Sequence, residues 1–529
     1  MHRRSFLTYA GCAACALGVD HLLHASTGAA AEAYGGLDRP AQLRLADLAL
    51  SLATAAGASY TDVRVGRTEG EFIRARERRL EDVGATLAVG FGVRVLIDGS
   101  WGFAGSQMVA ECEIRRAVAL AADNAKAARL IQARPIVLEA VPAYAEDWVM
   151  PMGRDPFAVS TADKAEKLLA INAAALAAGA DYCTAFLSFV REQTLFASSR
   201  GSRIAQTRVR SYPRFEVTAV DKQSGRFATR ASLAAPRGAG WDYVESHDFA
   251  GEATLAAEQA RQKLGAKPVA PGKHDLVIDP TNLWLTIHES VGHATELDRA
   301  LGWEANFAGT SFVTPDKLGK LQFGSPLMNV RADRAQEGGL ATVGFDDDGV
   351  RCAGSEFPII ANGVFQNYQM AIGQAALIGR ERSNGCAYAD APTAFPLQRM
   401  PNVSLQPNPK PTSLDDLFAG VDNGIYVSAT EAGASTSSAT IFNSAGNCST
   451  RSATASAATC CATSPTRAAR RTSGTPWTGW ATSRRIFSAA ASSAARGSRS
   501  SSPRSRTARC RRASGRSPCS TPNEKISSR

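Results

Sequence analysis

Two imidazoles and a carboxylate fall within six positions of the stretch Leu285-Thr-Ile-His-Glu-Ser-Val-Gly-His-Ala-Thr-Glu-Leu-Asp298. The set His288-Glu289-x-x-x-His293 is what a zinc hydrolase needs. The imidazoles hold the metal, and the carboxylate takes a proton from the attacking water. In the body of the chain the other histidines are His247 and His274, so the pairing is no by-product of a His-rich composition. The spacing is unusual. Zincin helices place their imidazoles at i and i+4, whereas here the second lies at i+5. On a regular helix the two rings would point about 140° apart. A π-bulge would bring both to one metal, and Gly292 is a place for it. A buried helix with two hydrogen-bonded histidines is the alternative reading of the same residues.

The motif needs a scaffold, and the flanking sequence predicts an α+β fold. An amphipathic helix is expected over 40–57, a strand over 60–71 and a second long helix over 108–132. Residues 87–103 read as a hairpin, with Val93, Val95 and Ile97 on one face and Asp98-Gly99 at the turn. Together they form an N-terminal α/β unit, residues 40–134. Gly90 and Gly92 are expected to admit close backbone approach rather than to bind phosphate. A Pro-bearing connection, 135–156, leads to a central α+β domain, residues 151–265. It holds a helix over 161–179, strand-like runs at 184–192, 194–198, 202–212 and 215–219, and a helix near 250–264. A C-terminal, mostly β domain, residues 271–427, carries the metal-site helix. Its strands are expected at 275–279, 341–345, 357–360 and 365–370. Asp346-Asp-Asp-Gly349 lacks the twelve-residue spacing of a calcium loop and reads as a charged turn between strands. Arg399 either pairs with an acid or a peptide carboxylate, or is structural.

The chain has 529 residues, 44% hydrophobic and 20% charged, which is ordinary for a multidomain globular protein. Its net charge of +10 is misleading, because residues 441–529 alone hold 16 Lys+Arg and one acid. Those arginines lie among Ser and Ala with no recognisable module, which argues against nucleic-acid binding. Residues 1–33 read as a twin-arginine signal peptide. Arg3-Arg4-Ser5-Phe6-Leu7 precedes a short apolar stretch, and small residues offer cleavage after Ala31 or Ala33. That predicts a periplasmic or extracellular protein. No apolar run is long enough for stable membrane insertion.

The stretch from Leu283 to His293, with Glu296-Leu-Asp-Arg-Ala300 and Phe307-Ala-Gly-Thr-Ser-Phe312, closely resembles the TldD/PmbA family of metallopeptidases, in its TldD-type, His-Glu-bearing form. Gly90-Phe-Gly-Val-Arg94, Asp346-Asp-Asp-Gly349 and Arg399-Met-Pro-Asn402 follow the family's order, and the resemblance runs from about Asp62 to about Val427. It implies a Zn²⁺ metallopeptidase with His288 and His293 as ligands and Glu289 as catalytic base. It also implies small or unfolded peptides as substrates, and a homodimer or a heterodimer with a TldE/PmbA-type paralogue. A third ligand, a cysteine in a Cys-Gly-Lys-x-Gln setting, is implied as well.

No such cysteine stands in this chain. Residues 428–529 form a Ser/Ala/Arg/Thr-rich tail without periodicity, which as written reads as disordered. Shifted by one frame, permitted codons can spell family-like segments over 429–456, 476–481, 488–499 and 518–527, and the missing cysteine would then be encoded across Ser493 and Ala494. The tail therefore reads as out of frame, with the slip near 427–430. Cys352, Cys386 and Cys448 are the formal substitutes, but each reads as an ordinary buried or surface thiol. Lost strands would leave sheet edges unpaired. The alternative function is accordingly an inactive remnant that at most binds peptide or a TldE-type partner.

Overall fold

A computed structural model describes residues 38–267, 269, 272–306 and 308–428, together with the backbone of 438–443 and 451–454. The expected signal peptide, Pro271, Phe307, Cys448 and most of the tail lie outside the described residues.

Local signals start the N-terminal elements where they were expected. Helix α1, Arg39–Ala55, is capped by Asp38, whose carboxylate accepts from the Ala41 amide at 2.8 Å. Strands β1 (Tyr60–Arg76), β2 (Arg79–Ile97) and β3 (Ser100–Ser106) follow, then helix α2 (Glu111–Arg129). Between β2 and β3, Asp98 and Gly99 take positive φ, 50° and 75°, as a two-residue hairpin turn requires. After β4 (Ala145–Val149) comes α3 (Thr161–Ala177), capped by Ser160. The four expected central strands are two long ones, β5 (Tyr182–Ser198) and β6 (Arg203–Val220), followed by β7 (Phe227–Ala231). Their ladder is uninterrupted, because neither Gln193 nor Pro213 breaks the alternation of side chains between the two faces. Helices α4 (Trp241–Ser246) and α5 (Phe249–Leu264) close this part.

All seven strands share one sheet, in the order β3-β2-β1-β5-β6-β4, with β7 also on β6. The N-terminal and central segments are thus stitched together by the β1–β5 ladder. One face buries Val63, Val65, Phe91, Val93 and Val95 against α1 and α2. Farther along, the same sheet packs on α3 and α5 around Leu187, Phe189, Phe215 and Val217. The opposite face receives the C-terminal domain.

That domain begins with β8 (Asp275–Ile278) and helix α6 (Pro280–Ile287). It holds the short strands β9 (Val330–Asp333), β10 (Phe357–Ala361), β11 (Val364–Phe365), β12 (Ala387–Tyr388), β13 (Leu397–Gln398) and β14 (Asn402–Leu405). The strand expected over 341–345 is absent: only an isolated bridge, Phe345 to Arg351, forms there. The one expected over 365–370 is reduced to β11, because side chains take the following amides: Tyr368 N–H donates to Asn367 Oδ1 at 3.0 Å and Met370 N–H to Asn384 Oδ1 at 2.7 Å. Helix α8, Leu414–Ala419, follows a four-residue helical turn, α7, at Leu297–Ala300.

Strand β15 (Asn423–Ser428) pairs parallel with β8 and antiparallel with β16 (Ser438–Asn443), which in turn pairs with β17 (Arg451–Thr454). The edge of β15 is therefore covered, contrary to the expectation of an unpaired edge. Backbone pairing needs donors and acceptors, not a particular side-chain pattern.

The glycines of β1 to β3 accept the C-terminal domain. A Cβ on Gly90 would lie 2.5 Å from Thr393 Cγ2, and one on Gly92 would lie 2.5 Å from the Pro392 carbonyl. Close approach, not phosphate binding, is their role. Beside them the buried Arg94 guanidinium bridges Asp62 of β1 (2.7 Å) and Asp348 of the C-terminal domain (2.6 Å).

Candidate metal centre

Asp279 starts α6, its carboxylate accepting from the Thr281 amide at 2.9 Å with Pro280 at the first helical position. The helix runs as α through Ile287 and then widens. Residues His288–Gly292 form one π turn, and the His293 amide donates to the His288 carbonyl, five residues back. This is the bulge that the i, i+5 spacing demanded. It sets the two imidazoles together, with ring centroids 4.3 Å apart and planes at 73°.

Widening a helix strips carbonyls of their usual partners, and the surroundings replace them. Gln369 Nε2 donates to the Gly292 carbonyl at 2.6 Å and to Thr295 Oγ1 at 2.9 Å, while Thr295 Oγ1 donates to the Val291 carbonyl at 2.8 Å. Gly292 also leaves room for Met400, whose Sδ and Cε would sit 2.5 Å from an added Cβ.

Among the described residues, one group of three potential ligands comes together. Single ligand atoms of His288, Glu289 and His293 all lie within 4.8 Å of one another. His288 is buried at 1% exposure, and Trp284 meets it edge-on. The Glu289 side chain is 40% exposed, with Oε1 3.9 Å from His288 Nε2. His293 Nδ1 lies 2.8 Å from Oε2 of the buried Glu296. That bond leaves Nε2 as the free ligating nitrogen of His293 and fixes the ring's orientation, the usual support of a metal-binding imidazole. Two convergent imidazoles, one of them held by a carboxylate, beside an accessible glutamate fit a divalent metal of the zinc type.

Outward from Glu296 the charges alternate. Arg299 Nε is ion-paired with Glu296 at 2.7 Å and lies 3.4 Å from Glu304, and Glu304 meets Arg399 at 2.8 Å. Arg399 thus pairs with an acid of its own chain. The support by Glu296 was legible only as an i, i+3 spacing from His293, a signal too common to single it out. Next along, burial pushes the Asp298 carboxyl up to about 7, and Gln374, which donates to it, offsets only part of that shift.

The other sequence candidates lie elsewhere. Cys352 and Cys386 are fully buried outside the cluster, and burial drives both thiols up, Cys386 to about 12. Such thiols are inert rather than ligating. The Asp346-Asp-Asp-Gly349 segment is a turn, with Gly349 at φ 77°. Its acids are spent internally: Asp346 Oδ1 accepts the Val350 amide at 2.8 Å, and Asp347 Oδ2 accepts the Ala389 amide at 2.7 Å.

Three family descriptions match successive parts of the chain: PmbA/TldA metallopeptidase domain 1 over residues 61–127, the central domain over 154–265 and the C-terminal domain over 271–447. A metalloprotease of Methanocaldococcus jannaschii is 28% identical over 382 residues, 71% of this chain and 79% of that protein. A zinc metalloprotease TldD homolog of Saccharolobus solfataricus is 28% identical over 176 residues, 33% of this chain and 36% of that one. The fold is shared with TldE from Thermococcus kodakarensis, at a TM-score of 0.60 and 16% identity over 77% of this chain and 90% of that one.

Proposed function

The chain belongs to the PmbA/TldD metallopeptidase family, and we propose that it is zinc-dependent and hydrolyses small or unfolded peptides, with His288 and His293 as metal ligands and Glu289 as base. One observation carries the reading. A π turn, a rare and specific distortion, brings imidazoles spaced i, i+5 to 4.3 Å beside an accessible carboxylate.

Zinc bound there supplies Lewis acidity, polarising a peptide carbonyl and lowering the pKa of a water. Glu289 accepts the proton of the attacking water and delivers it to the leaving amine. Its exposure suits that work, since both water and substrate must reach it. Glu296 keeps the Nδ1–H of His293 turned inward, and Arg299 balances the carboxylate that does so.

Replacing Glu289 with Gln tests the assignment. Hydrolysis of a peptide library should vanish while zinc stays stoichiometric; unchanged hydrolysis refutes the role. Replacing His288 with Ala should remove the zinc.

Kinship to the TldE fold supports a TldE-type partner or a second copy as the assembly, and the twin-arginine segment supports export of the folded chain. No helix of the described residues is long and apolar enough to cross a membrane.

A second reading has its own support. Among the described residues the cluster holds two imidazoles and no thiol, whereas catalytic zinc sites usually have three protein ligands. An inactive remnant would look the same. Sequencing the gene across codons 420–435 separates the two. A base gained or lost restores a third ligand, and an unchanged sequence favours the remnant.

A further inference from the structure

Away from the metal turn, a cleft of about 40 Å³ opens between the sheet and the C-terminal domain. That is room for a few waters, or for one carboxylate group entering from its mouth. Its floor comes from β1, β5 and β6, and its rim from residues 343–347 and 388–392 of the C-terminal domain.

Two arginines line it and are nearly sealed from solvent, Arg64 at 1% exposure and Arg334 at 4%. Among the described residues Arg64 donates once, from Nη2 to the Ala394 carbonyl at 2.6 Å, and its Nε has no hydrogen-bond partner. Among the described residues Arg334 Nε is likewise without a hydrogen-bond partner. Burying a guanidinium without an acceptor is costly, so such groups call for an anion.

The cleft's own acids attract these guanidinium groups without hydrogen-bonding them: Asp346 acts on Arg334, and Asp347 on Arg64, while both carboxylates accept backbone amides as described above. Glu192 is ion-paired with Arg208 and Arg210. With these acids close by, a dianion such as phosphate meets repulsion, whereas a monoanionic, planar carboxylate matches the guanidinium fork. Trp148 and Tyr388 also line the cleft. Trp148 lies over Gly344, its Cγ 2.4 Å from where a Cβ would stand, and Tyr388 faces Arg208. The cleft also connects to the metal turn. Tyr388 sits on β12, β12 pairs with β13, and Met400, just past β13, is the residue that rests on Gly292.

We propose that this cleft binds the carboxylate of a peptide, with Arg334 and Arg64 as anchors. The peptide part of the proposal rests on the peptidase reading above; the carboxylate part does not.

The test uses the full chain carrying Glu289→Gln, so that nothing is cleaved. Binding of N-acetyl-trialanine as free acid is compared with its C-terminal amide, and with an amide in which one alanine is glutamate. The free acid should bind at least about tenfold tighter than the plain amide, the scale of one charge-assisted hydrogen bond. Hydrogen exchange should slow at residues 387–391. Arg334→Met should bring acid and amide to equal affinity, and Arg334→Lys should restore part of the gap. If the glutamate-bearing amide matches the free acid, the site stands and the carboxylate is a side chain; if it matches the plain amide, the carboxylate is terminal. Equal binding of acid and plain amide overturns the proposal. So does a preference that survives in folded Arg334→Met, or protection confined to residues 284–295. Should Arg334→Met not fold, the wild-type arginine pair in the same background still gives the acid-to-amide ratio and the footprint. A chain that proves metal-free and inactive would defeat the peptidase reading without altering that ratio.

Discussion

Glu296 is a buried carboxylate shared between His293 and Arg299. It fixes the orientation of the His293 ring, and on the zinc reading Glu296→Gln should weaken zinc binding about 10–100-fold, read by chelator competition, with the fold retained. Asp298, two residues on, behaves differently. Its carboxyl titrates near 7 against an ordinary 3.8, chiefly because it is buried. The neutral form is therefore the one that the fold prefers. Below about pH 4 the acid is protonated whether folded or unfolded, and it costs nothing. As pH rises from about 4 to 7 the unfolded chain gives up a proton that the folded chain keeps, so stability falls; above 7 the penalty is full, at most about 4 kcal/mol. Asp298→Asn should flatten that decline, as seen in urea midpoints measured at about pH 4 and pH 8.

At the scale of elements, two glycines show how differently space can be reserved. The Cβ of Gly292→Ala would meet the tip of Met400, a flexible thioether that can swing aside. We expect a loss of about 1 kcal/mol or less. The Cβ of Gly92→Ala would meet the Pro392 carbonyl, which is backbone, as well as the Phe103 ring. Strand β2 and the 392–395 segment would have to separate, at about 1–3 kcal/mol. Denaturant midpoints of the two variants should rank in that order. The π turn has the same logic as Gly92. It persists because Gln369 and Thr295 bind the carbonyls that it exposes, which a lone helix in water could not arrange.

Over the whole molecule, the sheet and the C-terminal domain are locked by buried charge. Arg94 joins Asp62 to Asp348 across the boundary. Arg94→Met would leave two buried carboxylates without their partner, at about 3–5 kcal/mol, visible in the unfolding midpoint. Acid sensitivity should come from Glu192, on β5. Burial alone would raise its carboxyl, but Arg208 and Arg210 outweigh it and hold it near 2, against an ordinary 4.5. That stabilisation is present above about pH 4.5 and is lost as pH falls from there toward 2. Glu192→Gln should be less stable than the parent at neutral pH and should show a shallower acid limb.

Much of this protein was written locally. The candidate site residues His288, Glu289 and His293, the need for a π turn between the imidazoles, the Asp98-Gly99 hairpin and the capped helices all follow from residues within one or two turns of each other. Their physics is short-range: side-chain periodicity, capping, and the angle per residue of a helix. What the chain could not disclose by itself depended on residues far apart in sequence. The β1–β5 ladder, joining residues over a hundred positions apart, made one sheet of two segments. The Asn384 side chain, bonding the Met370 amide from fourteen residues away, helped cut short an expected strand. Arg334 Nε was left without a hydrogen-bond partner in a cleft that exists only where the domains meet. Type and spacing name the groups that can act; tertiary packing decides which of them are buried, which are paired, and which are left facing a ligand.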